Sequence, residues 1–189
     1  MEWKVTTAPA SEPVTLAEAK LYLRVDSSAD DDLITELIKT ARQWCEGYQN
    51  RAYIQQTITA YRDAFASQMP LPMPPLVSVT TIKYYDTAGV QQTLDSGYYD
   101  VDTTTEPGRI ILGHSDSWPT VRGHHHDIEI IYLAGYGDET TDVPEYVKSA
   151  MKFLIGHLYE HREMVSELTL KEVPFAVKSL LSIDRIVPV

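Results

Sequence analysis

With 189 residues, 43% of them hydrophobic and 23% charged, the chain is sized for one globular domain, or one domain carrying an elaborated insertion. Sixteen Lys and Arg against 27 Asp and Glu leave a formal charge of -11. That argues against wrapping a nucleic-acid backbone, which takes clustered basic side chains, but suits solubility or a passage through which DNA slides without sticking.

Residues 1–13 (MEWKVTTAPASEP) form a polar arm with Trp3 and Val5 near its tip, and lack the apolar stretch of a signal peptide. Thr15 opens the first helix, with Glu18 to complete a capping box, Val14 for a hydrophobic staple, and Leu16, Ala19 and Leu23 as the apolar face. Asp30, Asp31 and Asp32 start a second helix at the end that favours negative charge. Leu33, Ile34, Leu37, Ile38, Ala41, Trp44, Cys45 and Tyr48 follow at helical spacing to a C-cap at Asn50. Cys45 is the single cysteine, so an intramolecular disulfide is excluded, folding in a reducing compartment is expected, and its apolar position marks core. The acidic cluster is no calcium loop, because counting from Asp26 puts Asp31 and Leu37 where Gly and Glu are required.

From Arg51 the period changes from 3.6 to 2. Six strands are expected near residues 54–60, 77–85, 90–94, 98–102, 109–112 and 127–134, in a small antiparallel sheet or partial barrel. Residues 69–75 (MPLPMPP) read as an extended connector, and residues 86–89 as a hairpin turn. The helical period returns over 141–162, with Asp142 as expected N-cap and Val147, Met151, Leu154, Ile155 and Leu158 as one apolar stripe. Residues 163–172 read as a loop, Pro174 as the start of a last helix with Phe175, Val177, Leu180, Leu181 and Ile183 apolar, and 184–189 as a flexible tail. The fold class expected is α+β: a helical body of about four helices from 14–50 and 141–183, a β-rich antiparallel insertion over 51–137, and flexible ends at 1–13 and 184–189. No run nears the roughly 18 apolar residues of a membrane span.

Little in the sequence carries chemistry. His124, His125 and His126 are consecutive, and on a strand neighbours face opposite sides, so an exposed loop is expected there rather than a metal site. His157 and His161 share a helix face, but HLYEH lacks the Glu that the metalloprotease pattern places after its first His. Gly135 and Gly137 lack the third glycine of a dinucleotide-binding turn. The expectation is no enzyme, no cofactor and no metal. The segments left unclaimed by any period carry the candidate partner contacts: Trp3 and Val5, then Met164, Val165, Leu168 and Leu170, then Arg185, Ile186 and Val187.

Several blocks, taken in order, resemble a known family. EPVTLAEAKLYLRVD (12–26), DDDLITELIKTARQWCEGYQNRAYIQQT (30–57), PLPMPPLVSVTTIKYYDTAG, YDVDTTTEPGRI, AGYGDETTDVPEYVKSAMKFLIGHLYEHRE and VPFAVKSLLSIDR are similar to the head–tail connector (adaptor) proteins of long-tailed double-stranded DNA bacteriophages. The resemblance implies a helical body with a β-rich insertion and a virion protein of the neck, made in the host cytoplasm. It implies self-assembly into a ring, expected to be a dodecamer, that joins the portal protein to a tail-side stopper or tail-completion protein while genomic DNA passes through its lumen. It also implies that the tail from Asp184 faces the portal. It assigns no role to His124–His126. The alternatives are another neck protein, such as a stopper or tail-completion protein, or a small metal-dependent hydrolase using the histidines.

Overall fold

The computed structural model describes residues 1–114, 117–161 and 175–187. In chain order its elements are β1 (Glu2–Thr7), α1 (Leu16–Leu23), α2 (Asp31–Gln49), β2 (Gln56–Arg62), β3 (Gln68–Pro70), β4 (Leu76–Tyr85) and β5 (Gln91–Thr93). Then come β6 (Tyr99–Asp102), β7 (Arg109–Leu112), β8 (Ile128–Ala134), α3 (Glu145–Glu160) and α4 (Phe175–Leu181). The fold is α+β, with a β-rich middle as the change of period implies. Its strands lie in two antiparallel sheets, ordered β1-β2-β8-β4-β5 and β3-β7-β6, rather than in one small sheet.

Two strands beyond the expected six, β1 and β3, add one edge strand to each sheet. β3 lies at a sheet edge, where Pro70 lacks an N–H that the ladder does not need. β1 replaces much of the expected flexible arm: Glu2–Thr7 pairs along β2, with Trp3 opposite Ala60 and Val5 opposite Ile58. Its alternation spans only two apolar positions, and all six residues stay exposed, so burial leaves little pattern for a sequence to show.

The chain resolves into two compact units. One joins Met1–Ala10 to Gln55–Tyr136, and the other joins Ser11–Ile54 to Gly137–Val189. In the strand unit β8 is central and strictly alternating, burying Ile128, Ile130, Tyr132 and Ala134. Tyr132 stands opposite Ile58 and donates its hydroxyl to the Pro72 carbonyl at 2.7 Å, so its polar tip is satisfied.

In the helical unit the Thr15 capping box forms as read: Thr15 Oγ1 accepts from Glu18 N at 3.2 Å, and Glu18 Oε2 accepts from Thr15 N at 2.8 Å. α2 ends on Asn50 in the left-handed region, φ 56°. The core draws Ile34, Ile38, Ala41 and Cys45 from α2, Val147, Met151, Leu154 and Ile155 from α3, and Val177 and Leu181 from α4. Burial first, and Glu46 second, push the Cys45 thiol up to about 12, consistent with a core residue. Phe175 and Ile183, expected as apolar positions of the last helix, are exposed.

Two expectations need correction here. α3 begins at Glu145 with Pro144 at its N-cap, not with Asp142. Asp142 closes a short 3₁₀ turn, its Oδ2 accepting from Glu139 N, and it fills the space where a Cβ on residue 137 would fall 2.0 Å away. That packing commits Asp142 to the turn and requires glycine at 137. The described part of the tail is not free either. Gln49 O accepts from Ile186 N, Asn50 Nδ2 donates to Ile186 O, Arg51 Nε donates to Asp184 O, and Arg185 Nε donates to Tyr48 O. The carbonyls and side chains at the C-terminal end of α2 are thus answered by the tail.

Candidate assembly surfaces

The helical unit presents an apolar face built on α1. This helix has eight residues and only Ala19 fully buried, so its outer side is left to solvent. Leu21 is 82% exposed and Tyr22 43% exposed, and the Tyr22 ring meets Phe153 of α3, 39% exposed, at 6.3 Å between centroids. Gly156 permits this approach, since a Cβ there would lie 3.1 Å from the Tyr22 ring. Beside the pair runs an open groove of about 620 Å³, lined among others by Tyr22, Leu23, Phe153, His157 and Ala176. Scattered exposed apolar residues are ordinary, but Tyr22 and Phe153 adjoin one another, and Leu21 adds a further exposed apolar side chain on the same short helix as Tyr22.

The strand unit presents a second surface along β1. Trp3 and Val5, each 41% exposed, continue to the sheet edge the apolar face that Ile58 and Ala60 bury. Beyond β1 no further strand pairs among the described residues, so its outer backbone groups face outward, as an edge that another chain can extend.

Of the residues singled out from sequence, Trp3 and Val5 therefore lie on an exposed edge. Arg185 stacks on the Tyr48 ring at 4.6 Å, and Ile186 is anchored by its main chain, leaving Val187 exposed. Met164, Val165, Leu168 and Leu170 lie outside the described residues. Leu21, Tyr22 and Phe153, also exposed, are not singled out by any sequence pattern. Leu21 stands two residues after Ala19, off the apolar stripe, and that displacement is the nearest to a signal.

The histidines are not on a strand. His125 and His126 occupy a turn, with His126 at φ 57°, and their rings stack at 3.8 Å. Asp127 builds the turn: its buried carboxylate accepts from Gly123 N at 2.7 Å and His124 N at 2.8 Å, and pairs with Arg122. Burial alone would raise this carboxyl, but the hydrogen bonds and the guanidinium outweigh it and hold the group below its usual range. A depressed folded pKa contributes stability in full above the unfolded value of about 3.9, and loses it as the pH falls through the folded value. Melting temperature should therefore drop below about pH 4, and Asp127→Asn should flatten that acid slope. Equal slopes for the two proteins between pH 2.5 and 6 would remove Asp127 from this role.

His157 and His161 stack at 4.6 Å at the end of α3, where His161 Nδ1 lies 2.9 Å from the His157 carbonyl. No helix among the described residues is long and apolar enough to cross a membrane.

A family model described as head completion protein matches residues 12–173. No curated protein matches the sequence. Among solved structures, a chain from the virion of a native gene transfer agent particle superposes with TM-score 0.82 at 23% identity, over 100% of this chain and 97% of that one. A chain from the neck of the empty particle, computed with C6 symmetry, gives 0.79, and one from the neck of the native particle, computed with C12 symmetry, gives 0.77. Identity and coverage are the same in both. Each has this fold.

Proposed function

The chain belongs to the head completion protein family, and we propose that it is one subunit of a ring at the neck of a tailed, phage-like particle. The ring joins the portal to tail-side neck proteins and surrounds the channel through which DNA leaves. The observation that carries this is the family match over residues 12–173, and the ring is supported by neck structures of similar chains computed with C6 and C12 symmetry. In this reading the protein catalyses nothing, and its work is done by the surfaces just described. The α1 face around Leu21, Tyr22 and Phe153 meets a neighbouring subunit, and the β1 edge with Trp3 and Val5 meets either a neighbour or an adjoining ring. A formal charge of -11 suits a lumen that DNA passes without adhering.

The tail from Asp184 is a second candidate contact with the portal. Its described part is fixed on α2, so residues 184–187 would offer a pre-formed surface to the portal rather than order upon binding. Each subunit contact must be modest if assembly waits for the portal, so the free protein should associate weakly. The test is Leu21→Arg, which changes a residue 82% exposed and should leave the melting temperature nearly unchanged. Light scattering and sedimentation with purified portal should show rings for the wild type and few or none for the variant. Rings formed equally well by both would remove the α1 face from the interface. A tight wild-type dimer, independent of concentration and unaffected by portal, would contradict the ring itself.

A further inference from the structure

We propose that Glu2, His125 and His126 form a binding site for one divalent transition metal of the zinc class, which pins the open edge strand β1 to the turn that precedes β8. The sheet order brings these residues together. Glu2 starts β1 opposite Tyr61, near the end of β2, and Tyr61 in turn stands opposite Glu129, near the start of β8. The start of β1, the end of β2 and the start of β8 therefore converge at one end of the sheet, where Asp63 and the histidine turn follow directly. Residues more than 120 positions apart become neighbours, which no spacing in the sequence announces.

The donor atoms fit. One ligand atom from each of Glu2, His125 and His126 lies within 4.8 Å of the other two. His126 Nε2 is 3.0 Å from Glu2 Oε2, and His125 Nε2 is 3.9 Å from Glu2 Oε1. Tetrahedral zinc, with bonds of about 2.0–2.1 Å, sets its donors about 3.3 Å apart, so small rotations of the exposed Glu2 and His125 side chains about His126 reach that geometry. His126 Nε2 is shut off from solvent and makes no hydrogen bond, although Glu2 is beside it. A ring nitrogen closed to solvent, without a hydrogen bond and beside a carboxylate, is an arrangement a cation satisfies.

Asp63 supplies the supporting contact. Its Oδ1 is 2.9 Å from His125 Nδ1, and the same oxygen accepts from His126 N at 2.9 Å. Holding the proton on Nδ1 leaves the His125 Nε2 lone pair directed toward Glu2, which is how a carboxylate commonly orients a metal-binding histidine. Two imidazoles and one carboxylate select a zinc-like ion over magnesium or calcium, which prefer all-oxygen sites. Residues 125 and 126 lie in a turn, so the alternation that would point neighbouring histidines apart on a strand does not apply to them.

The experiment is zinc titration of the tag-free full chain by calorimetry, with hydrogen exchange of the β1 amides followed in parallel. One zinc should bind, and exchange over Glu2–Thr7 should slow. Glu2→Gln and His126→Ala should each weaken binding at least tenfold, Asp63→Asn should weaken it by about 10–100-fold, and His124→Ala should leave it unchanged. His157→Ala should also leave it unchanged, which separates this site from the histidine pair on α3. Absence of saturable binding would overturn the proposal. So would binding that survives Glu2→Gln and His126→Ala but is lost in His157→Ala, or binding that leaves β1 exchange unaltered.

Discussion

Arg42→Ala should destabilise the helical unit by about 3–5 kcal/mol at neutral pH, the range for removing one partner of a buried ion pair. The Arg42 guanidinium is nearly enclosed. Its Nε donates to Glu12 Oε2 at 2.7 Å, its Nη2 to Glu12 Oε1 at 3.3 Å, and its Nη1 to Glu46 Oε2 at 2.8 Å. Glu46 is as buried as Arg42, and its other oxygen accepts from Tyr53 N at 2.9 Å. Burial pulls the guanidinium's pKa down, but Glu12 and Glu46 outweigh it and raise it, while burial raises the Glu46 carboxyl against the opposing pull of Arg42. Without Arg42, Glu46 is left charged in a desolvated place, and its cheapest escape is to take up a proton. The deficit of the variant should therefore shrink as the pH falls from 7.5 to 5, and adding Glu46→Gln should restore part of the loss. Urea unfolding at the two pH values checks this. A deficit below about 1 kcal/mol, typical of exposed pairs, would show that the network is solvated.

Leu154→Ala should cost about 2–5 kcal/mol, because deleting a buried side chain loses its transfer energy and leaves a cavity. Leu154 is 2% exposed on α3 and belongs to the core shared with Ile34, Ile38 and Cys45 of α2. Leu158→Ala and Leu37→Ala should cost less, since both are half-buried despite holding equivalent places in their helical patterns. Thermal melts of the three variants would order them. A near-neutral Leu154→Ala would contradict the place given to α3 in the core.

That contrast shows what the sequence carries and what it does not. A period of 3.6 identifies the apolar stripe of α2 and α3, but cannot say which residue at the stripe's margin a neighbour will cover. Local signals were legible because their physics is local: the Thr15–Glu18 capping box, Asn50 at the end of α2, and the alternation of β8. β1 was not legible, because all six of its residues stay exposed and burial imposes no pattern on them. The docked tail was not, because the Asn50 and Arg51 side chains reach main-chain carbonyls of Ile186 and Asp184, acceptors that every residue carries and no spacing marks. The spacing of Arg42 and Glu46 does hint at a pair, yet Glu12, thirty residues away, reads only as a surface acid. The histidines lie in an exposed turn, as their place before β8 leads one to expect, but no spacing shows that β1 brings Glu2 beside them. Of the proposed partner contacts, Trp3 and Val5 are accessible to sequence reasoning as apolar residues that no core claims. Leu21 and Phe153 were hidden within helices whose other faces are core.

The central claim is that the chain closes into a ring at the portal, and negative-stain electron microscopy of the purified protein with and without portal tests it most directly. Closed rings seated on the portal, with twelve subunits expected and scarcely any rings from the protein alone, would agree with the account. Protein that stays monomeric beside saturating portal, or that adds to it as single copies without closing, would contradict it.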